Sequence, residues 1–495
     1  MKTIQTLKIS TILYLLIPSV LFLLTWIHLW IGIPCAFFIV FYTWKIFQES
    51  TISNDETSIP IKNILLCLGI SIVLNYILGI GEFRPQTYDF QANNFKYYDL
   101  ITHQLPVYYS DQKTYLCYYT GYYLPSALLA KVFGIETCRY FSFIWSVFGM
   151  GLVFCWISTF TRKNIVGLLA IVLLFANAWF VIKLLMNFAY FQEFLQPYYI
   201  QLNQFKLITT SLIRNYAWAT QHTIPACLGV CVLINNFRTK TDLKYLLLML
   251  LSTMFWSPLT AVGLFPFVSF YFLSGIKDLF SGKSVNDLTL MTLLVLSFIP
   301  LLLYFISTEG IHVNNTEFIW QTGVKSWWIF YLIYSFSNFI IWGFFLNYSQ
   351  NQYKSLWKIA VIFPCMIAVY RIGIYNDFNI RVSFPSFFML SILVGVSVVE
   401  RLKIKSFIGV GIMLLLLLNS LANFNHIKNT FDYKNLLTTI EKPFIFKAKN
   451  MLEFQRVAYG DESAVLEYSL KKDSVFEKYF LKKVTQTSVY TFGTD

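Results

Sequence analysis

Residues 81–125 read GEFRPQTYDFQANNFKYYDLITHQLPVYYSDQKTYLCYYTGYYLP, a polar and tyrosine-rich segment that lies between long apolar runs. Among its ionisable residues are the carboxylates Asp89, Asp99 and Asp111 and the side chains Arg84, Lys96 and His103, which can be cationic. Most of the remaining sequence is apolar enough to sit in lipid. A carboxylate-bearing loop that directly follows an apolar run therefore predicts chemistry at a membrane face.

The composition predicts an all-α polytopic membrane protein. Of the 495 residues, 57% are hydrophobic and only 13% are charged, whereas soluble domains carry about 25% charged residues. A helix that spans the hydrocarbon needs about 20 mostly apolar residues, and such runs recur about 13 times in this chain. The predicted spans are residues 8–28, 30–47, 62–80, 139–160, 164–182, 222–237, 243–262, 264–280, 288–307, 326–346, 357–375, 382–399 and 405–423.

The basic residues predict the orientation of these spans. If the apolar stretch 116–134 lies on the surface, the short basic clusters between the spans all fall on one side, as the positive-inside rule requires. The N-terminus is then cytoplasmic, and the loops 81–138, 183–221, 308–325 and 376–381 lie outside together with the C-terminal tail. Because the net charge of +13 is spread over these clusters, the expected partner is the lipid bilayer and no nucleic acid.

A change of composition divides the chain into two regions. Residues 1–423 form the membrane domain, and residues 424–495, with more charges and shorter apolar runs, form a small extracytoplasmic segment. Within the first outer loop, 81–138, Asn93 to Leu105 can form an amphipathic helix and Tyr118 to Phe133 a more apolar one. Tyrosine-rich amphipathic helices favour the membrane interface, so we expect two helices that lie on the membrane surface.

Asp89 is the first candidate for catalysis, since it lies nine residues beyond the third predicted span. A carboxylate there can accept a proton from a sugar hydroxyl or ligate a divalent metal ion. The alternative is a solvated loop acid. Asp99 falls within the first predicted surface helix, where a local ion pair with Lys96 is the simpler explanation.

Arg371, Asp377 and Arg381 form a second group at the outer ends of neighbouring spans. Ionisable side chains at this depth are costly and indicate function. Because a guanidinium matches a phosphate group geometrically, Arg381 is the candidate for binding a lipid-linked phosphate. The alternative is an Asp377–Arg381 ion pair that only holds the short loop in place.

The outer loop 183–221 is rich in amides and aromatic rings, and Gln221 and His222 stand where it meets the next span. Stacking and neutral hydrogen bonds both suit a sugar ring, although many polar loops have a similar composition.

Four short motifs resemble the GT-C superfamily, the polytopic membrane glycosyltransferases that use polyprenyl-phosphate-linked sugars. They are DFQANNFKYYDL at 89–100, YYTGYYLP at 118–125, Gln221-His222, and NDFNIRVSFP at 376–385. An acid in the first large outer loop, interfacial helices after it and an outer C-terminal segment add to the likeness, which covers most of the chain.

The resemblance implies a GT-C-like fold in the cytoplasmic membrane of a bacterium, and an inverting sugar transfer on its outer face. Asp89 would be the general base or the ligand of a Mg²⁺ or Mn²⁺ ion, and Arg381 with Arg371 would stabilise the leaving phosphate. The partners would be a polyprenyl-phosphate-linked sugar and a glycan or lipid acceptor. Further substrate-binding candidates are Lys96, Asp99, Gln221, His222 and Asp377.

Many GT-C enzymes carry a pair of acids at this place, whereas Asp89 stands between Tyr88 and Phe90. Three alternatives stay open. A lipid-linked glycan polymerase or ligase would use the same outer loops, a transporter or flippase would place charges at mid-membrane, and a scaffold protein would need no catalytic acid.

Overall fold

The computed structural model describes residues 3–50, 59–87, 89–176, 207, 209–239, 243–275, 285–312, 316–323, 327–349, 351–372, 376–401, 409–418, 420–421, 439–443, 448–460 and 462–484. The described chain is mostly helical, with two short strand pairs. Most of the predicted outer loop 183–221, with Asn187, Glu193, Gln196, Gln201, Asn203 and Gln204, lies outside these residues.

The first half of the chain contains the following helices and strands: α1 Thr3–Thr25, α2 Leu29–Ser50, α3 Ile61–Ile77, α4 Asp89–Thr102, β1 Tyr108–Tyr109, β2 Thr114–Tyr115, α5 Leu124–Phe133, α6 Cys138–Ser158, α7 Ile165–Leu174, α8 Leu212–Trp218, α9 Thr220–Thr239 and α10 Leu243–Trp256. The second half continues with α11 Pro258–Ser274, α12 Val285–Ile306, β3 Thr316–Phe318, α13 Trp327–Ser335, α14 Ile341–Tyr348, α15 Lys354–Ile367, β4 Tyr370–Ile372, α16 Asp377–Arg401, α17 Gly409–Leu418, α18 Met451–Tyr459, α19 Glu462–Leu466 and α20 Val475–Tyr479.

Six helices among the described residues are long and apolar enough to cross a membrane: Ile4–Thr25, Leu29–Gln48, Ile135–Ser158, Asn286–Ile306, Trp327–Tyr348 and Asp377–Glu400. Shorter apolar helices lie between them, including α3, α10 and α11. The protein is therefore a multi-pass helical membrane protein. The expected total of about 13 spans and the GT-C-like arrangement stay predictions, and the predicted spans 164–182 and 405–423 are only partly described.

Basic side chains join several helix ends at one end of the helix bundle. Three contacts make this junction: Lys163 Nζ to the Glu400 carbonyl at 2.8 Å, Arg238 Nη1 to the Thr159 carbonyl at 2.8 Å, and Lys244 Nζ to Asp287 Oδ1 at 3.1 Å. These lysines and this arginine belong to the clusters that the sequence predicts on the cytoplasmic side. We call this end of the bundle the basic end.

The C-terminal residues 448–460 and 462–484, here called the C-terminal cover, pack on the opposite end. Isolated antiparallel bridges join Leu481 to Ile27 beyond α1, Ser469 to Leu116 beyond β2, and Leu470 to Thr308 beyond α12. Apolar residues of the cover share one hydrophobic core with the spanning helices. The described part of the C-terminal segment thus packs as a cap on this end, and its core is continuous with that of the spanning helices.

The two helices expected in the first outer loop are present as α4 and α5. Helix α5 has 10 residues and is about 15 Å long, which is half of the roughly 30 Å hydrocarbon thickness. It is therefore too short to span, in agreement with a non-spanning 116–134.

The expectation that the first of these helices lies open on the surface is wrong. The consecutive residues Asn94, Phe95, Lys96 and Tyr97 of α4 are all at most 3% exposed, and four consecutive residues point to every side of a helix. The C-terminal cover buries one of these sides, since the Phe95 and Phe454 rings lie with centroids 5.0 Å apart. The amphipathic pattern of α4 thus reflects two buried interfaces.

Candidate functional site

Five charged side chains from three helices lie close enough for their charges to interact, at the end of the bundle that carries the C-terminal cover. The charges that act on the Asp89 carboxylate are those of Arg381, Lys96, Asp377 and Arg214. Asp89 and Lys96 belong to α4, Arg214 to α8, and Asp377 and Arg381 to α16. We call these five residues the charged cluster. The structure thus joins two groups that the sequence presents almost 300 positions apart.

Local capping contacts place Asp89 at the start of its helix. The Thr87 hydroxyl donates to the Ala217 carbonyl at 3.0 Å, and the Phe90 amide donates to the Thr87 carbonyl at 3.0 Å. These bonds hold the loop before α4 against α8, so that α4 begins at Asp89. A carboxylate in the first turn of a helix is also favoured by the helix dipole.

Arg381 is fixed by two contacts and is only 15% exposed. Its Nη1 donates to Asn215 Oδ1 at 2.8 Å, and its Nη2 lies 3.4 Å from Asp377 Oδ1. The ion pair that the sequence offers as an alternative is therefore present, but the Asp377 side chain is 56% exposed. The buried Arg381 Nε has no hydrogen-bond acceptor in the described structure. A guanidinium held in this way still has donors for an anionic ligand.

Lys96 is buried inside a shell of tyrosine rings. Its Nζ donates to Asn93 Oδ1 at 3.2 Å and lies 4.4 Å from the ring centroid of Tyr118, 5.2 Å from that of Tyr123 and 5.5 Å from that of Tyr468. Burial, and secondarily the positive charge of Arg381, lowers the pKa of Lys96 to about 7, although Asp89 acts in the opposite direction. Lys96 can therefore change its charge near neutral pH.

Asp89 is half-buried beside these cations. Burial raises the pKa of its carboxyl above the ordinary value, and the charges of Arg381 and Lys96 oppose this rise. A carboxylate with a raised pKa is a stronger base than a solvated one. The alternative of a solvated loop acid does not describe this environment.

His222 adjoins the charged cluster from the first turn of α9. Its Nδ1 lies 2.6 Å from Ser257 Oγ, and its ring meets the Tyr119 ring edge-on at 5.0 Å. Arg381 and Lys96 are the charges that act on this histidine. The neighbouring Gln221 is buried, and its Oε1 has no hydrogen-bond donor in the described structure.

Two of the predicted binding residues have structural partners away from the cluster. Arg371 lies on β4 opposite Glu317 of β3, with Nη1 3.1 Å from Glu317 Oε1. Asp99 is fully buried, and its Oδ2 accepts hydrogen bonds from the Tyr109 hydroxyl at 2.7 Å and the Met451 amide at 3.0 Å. Neither is among the main charges that act on the Asp89 carboxylate. Asp99 binds Tyr109 and Met451 in place of the expected ion pair with Lys96.

Several residues of the site carry no sequence signal of their own. Asn93 and Tyr123 share a hydrogen bond of 2.6 Å beside Lys96, and both belong to motifs in which only the acids and cations draw attention. Arg214 and Asn215 belong to the polar stretch before α9. In the sequence they do not indicate a sugar or a phosphate more strongly than the other polar residues of that stretch do. Tyr468 lies in the C-terminal cover, far from any motif.

The residues around Asp89 suit an anion better than a divalent cation. No group of three or more His, Cys, Asp or Glu side chains with metal-binding geometry occurs among the residues that the structure describes. The two carboxylates of the charged cluster face three cationic side chains, whereas Mg²⁺ and Mn²⁺ need several oxygen ligands. The divalent metal ion stays a prediction.

No protein-family model matches the sequence, and no curated protein or solved structure shows significant similarity to it. The likeness to the GT-C superfamily consequently rests on the sequence motifs.

Proposed function

We propose that this protein is a membrane glycosyltransferase of the GT-C type. It moves a sugar from a polyprenyl-phosphate carrier to a glycan or lipid acceptor of the cell envelope, with inversion at the sugar carbon. The observation that supports this proposal most is the half-buried Asp89 carboxylate surrounded by Lys96, Arg214 and Arg381 at one end of the spanning helices. A base and an anion-binding group are thereby present side by side.

The cations of the cluster bind the phosphate of the donor. Arg381 is oriented by Asn215 and Asp377, so its remaining N–H groups point in a fixed direction. Arginine binds phosphate oxygens through parallel hydrogen bonds, and such charge-assisted bonds are about twice as strong as neutral ones. The ammonium of Lys96 adds a second positive charge that acts on Asp89.

Asp89 acts as the general base in a single displacement. The acceptor hydroxyl oxygen attacks the anomeric carbon, and the Asp89 carboxylate takes the hydroxyl proton. The bond between that carbon and the phosphate oxygen breaks, and the lipid phosphate leaves with the electron pair. Arg381 and Lys96 stabilise the charge that develops on the leaving phosphate. General base catalysis of this kind contributes about 10²- to 10⁴-fold to a rate.

The distribution of charge favours an enzyme at the membrane face over a transporter. In the six candidate spans, every Asp, Glu, Lys and Arg lies within the first or last five positions. A transporter is expected to place its ionisable groups near the middle of the bilayer. A polymerase or ligase would share the cluster, and its expected loop 183–221 is mostly outside the described residues. In this proposal the basic end faces the cytoplasm of a bacterium and the charged cluster faces outward.

The test is complementation in the native host with Asp89→Asn. In this variant an NH2 group replaces one oxygen of the carboxylate, so the base is lost. Membrane abundance is measured in parallel, and surface glycans are profiled by mass spectrometry. Asp111→Asn is the matched control, because Asp111 is an exposed acid of the same loop. Loss of one defined glycan with Asp89→Asn alone supports the proposal. An unchanged glycan profile in an inserted Asp89→Asn protein contradicts it.

A further inference from the structure

A second cationic site lies at the opposite end of helix α4 from Asp89. A cleft of about 490 Å³ opens there between the end of α1, the end of α4, helix α5 and the C-terminal cover. Its walls include Leu24, Leu105, Leu128, Lys131, Lys482 and Lys483. Helix α4 has 14 residues, so about 20 Å of helix separates this cleft from Asp89.

The backbone holds the lysines of this cleft in place. The Lys482 amide donates to the Trp26 carbonyl at 2.9 Å, next to the bridge between Leu481 and Ile27. The Lys131 ammonium donates to the His103 carbonyl, and burial lowers the pKa of Lys131 to about 8. No acidic residue is among the described residues that line the cleft. The cleft is therefore complementary to an anion.

The cleft also lies at the end of a candidate membrane span. Leu24 is one residue from the end of the candidate span Ile4–Thr25. On the adjacent helix α5, Leu129, Val132 and Phe133 are 45%, 76% and 62% exposed. Exposed apolar side chains on a short helix beside the end of a span are expected to contact lipid. A ligand of this cleft can therefore have an apolar part that stays in the bilayer.

We propose that this cleft binds the headgroup of an anionic phospholipid. Lys131, Lys482 and Lys483 hold the phosphate, and the acyl chains run along Leu24, Leu128 and the exposed face of α5. The site is separate from the charged cluster, so this proposal stands independently of sugar transfer.

The experiment uses the full-length protein in detergent, with native mass spectrometry to count bound lipids. Phosphatidylglycerol is compared with zwitterionic phosphatidylcholine, and Lys482→Gln/Lys483→Gln is compared with the wild type. Each lysine near an anionic lipid contributes about 1 kcal/mol, so the double variant should bind phosphatidylglycerol roughly 10- to 30-fold more weakly. The matched control is Lys471→Gln/Lys472→Gln, a second pair of adjacent lysines, both exposed in the C-terminal cover, which should bind as the wild type does.

Competition with inorganic phosphate distinguishes a lipid from a free anion. Retention of phosphatidylglycerol against an excess of phosphate supports a lipid site, because only the lipid gains contacts with the apolar wall. Three results would overturn the proposal. They are displacement of phosphatidylglycerol by inorganic phosphate, equal binding of phosphatidylglycerol and phosphatidylcholine, and unchanged binding of phosphatidylglycerol in the Lys482→Gln/Lys483→Gln variant. Circular dichroism of both double variants verifies that the helices are intact.

Discussion

The ring of Tyr468 stacks on the ring of Tyr118, with centroids 4.1 Å apart and an angle of 19° between the planes. Both rings face the buried ammonium of Lys96. The Tyr468 carbonyl also accepts a hydrogen bond of 2.9 Å from the Cys117 amide. The C-terminal cover thus contributes directly to the surroundings of the charged cluster.

Removal of the Tyr468 ring should impair the site more than it impairs insertion. Tyr468→Leu takes one wall from around Lys96, so water reaches the ammonium and the positions of Lys96 and Tyr118 become less defined. We expect the glycan product in the host to fall by roughly tenfold or more, while Tyr468→Phe keeps the ring and most of the product. Tyr479→Leu, at an exposed position of the cover, is the control and should be silent. Equal products from Tyr468→Leu and Tyr468→Phe would show that the ring is dispensable.

Burial of Lys96 should make the stability of the protein depend on pH. The pKa of Lys96 is lowered to about 7, whereas an unfolded lysine titrates near pH ~10.4. Between these two values the unfolded chain binds more protons, so stability rises with pH across this window and is lowest below it.

Thermal unfolding of the purified protein from pH 6 to pH 9 measures this slope. Lys96→Met removes the titrating group, so its unfolding temperature should rise less over the same interval than that of the wild type. Lys472→Met, at an exposed lysine, should keep the slope of the wild type. Identical slopes for wild type and Lys96→Met would mean that Lys96 keeps an ordinary pKa.

Arg381 and Arg371 should respond differently to the same substitution. Arg381→Lys loses the planar group that contacts Asn215 and Asp377, so we expect roughly 10- to 100-fold less product. Arg371→Lys can keep its ion pair with Glu317 and should leave the product unchanged. The measurement is the yield of the affected glycan per inserted protein. A larger loss with Arg371→Lys would move the phosphate site to the β3–β4 hairpin.

Asp99 should act in stability and not in catalysis. Asp99→Ala leaves the Tyr109 hydroxyl and the Met451 amide without their buried acceptor, at a cost of about 3 kcal/mol of unfolding free energy. A lower unfolding temperature for Asp99→Ala than for Asp111→Ala, in which the acid is exposed, would bear this out. A stable Asp99→Ala protein without product would instead assign Asp99 to the chemistry.

Patterns that are local in the chain predicted much of this structure. The apolar runs indicated the six long candidate spans, and the distribution of the basic residues indicated that the stretch around α5 does not span. The sequence also singled out Asp89, Lys96 and Arg381, because charges beside apolar runs are costly unless they serve a purpose. In the structure the charges of Lys96 and Arg381 act on the Asp89 carboxylate, and the roles of the three residues stay predictions.

Long-range packing accounts for what the sequence could not predict. The amphipathic pattern of α4 would be the same if its polar face lay in water or if that face were buried by polar contacts with the C-terminal cover. The residue that covers Phe95 is Phe454, which lies more than 350 positions away in the chain. Asp99 resembles a surface acid for the same reason, since its partner Met451 is equally distant. The pattern of residues within α4 therefore does not predict either contact.

The bridge between Leu481 and Ile27 joins residues that lie 454 positions apart, and this has a consequence for biosynthesis. Membrane helices are inserted in order while the ribosome is still translating, so α1 stays in the bilayer without this partner until Leu481 has been synthesised. The surroundings of Lys96 are complete only after Tyr468 has emerged. A nascent or prematurely terminated chain is therefore anchored in the membrane without a finished site.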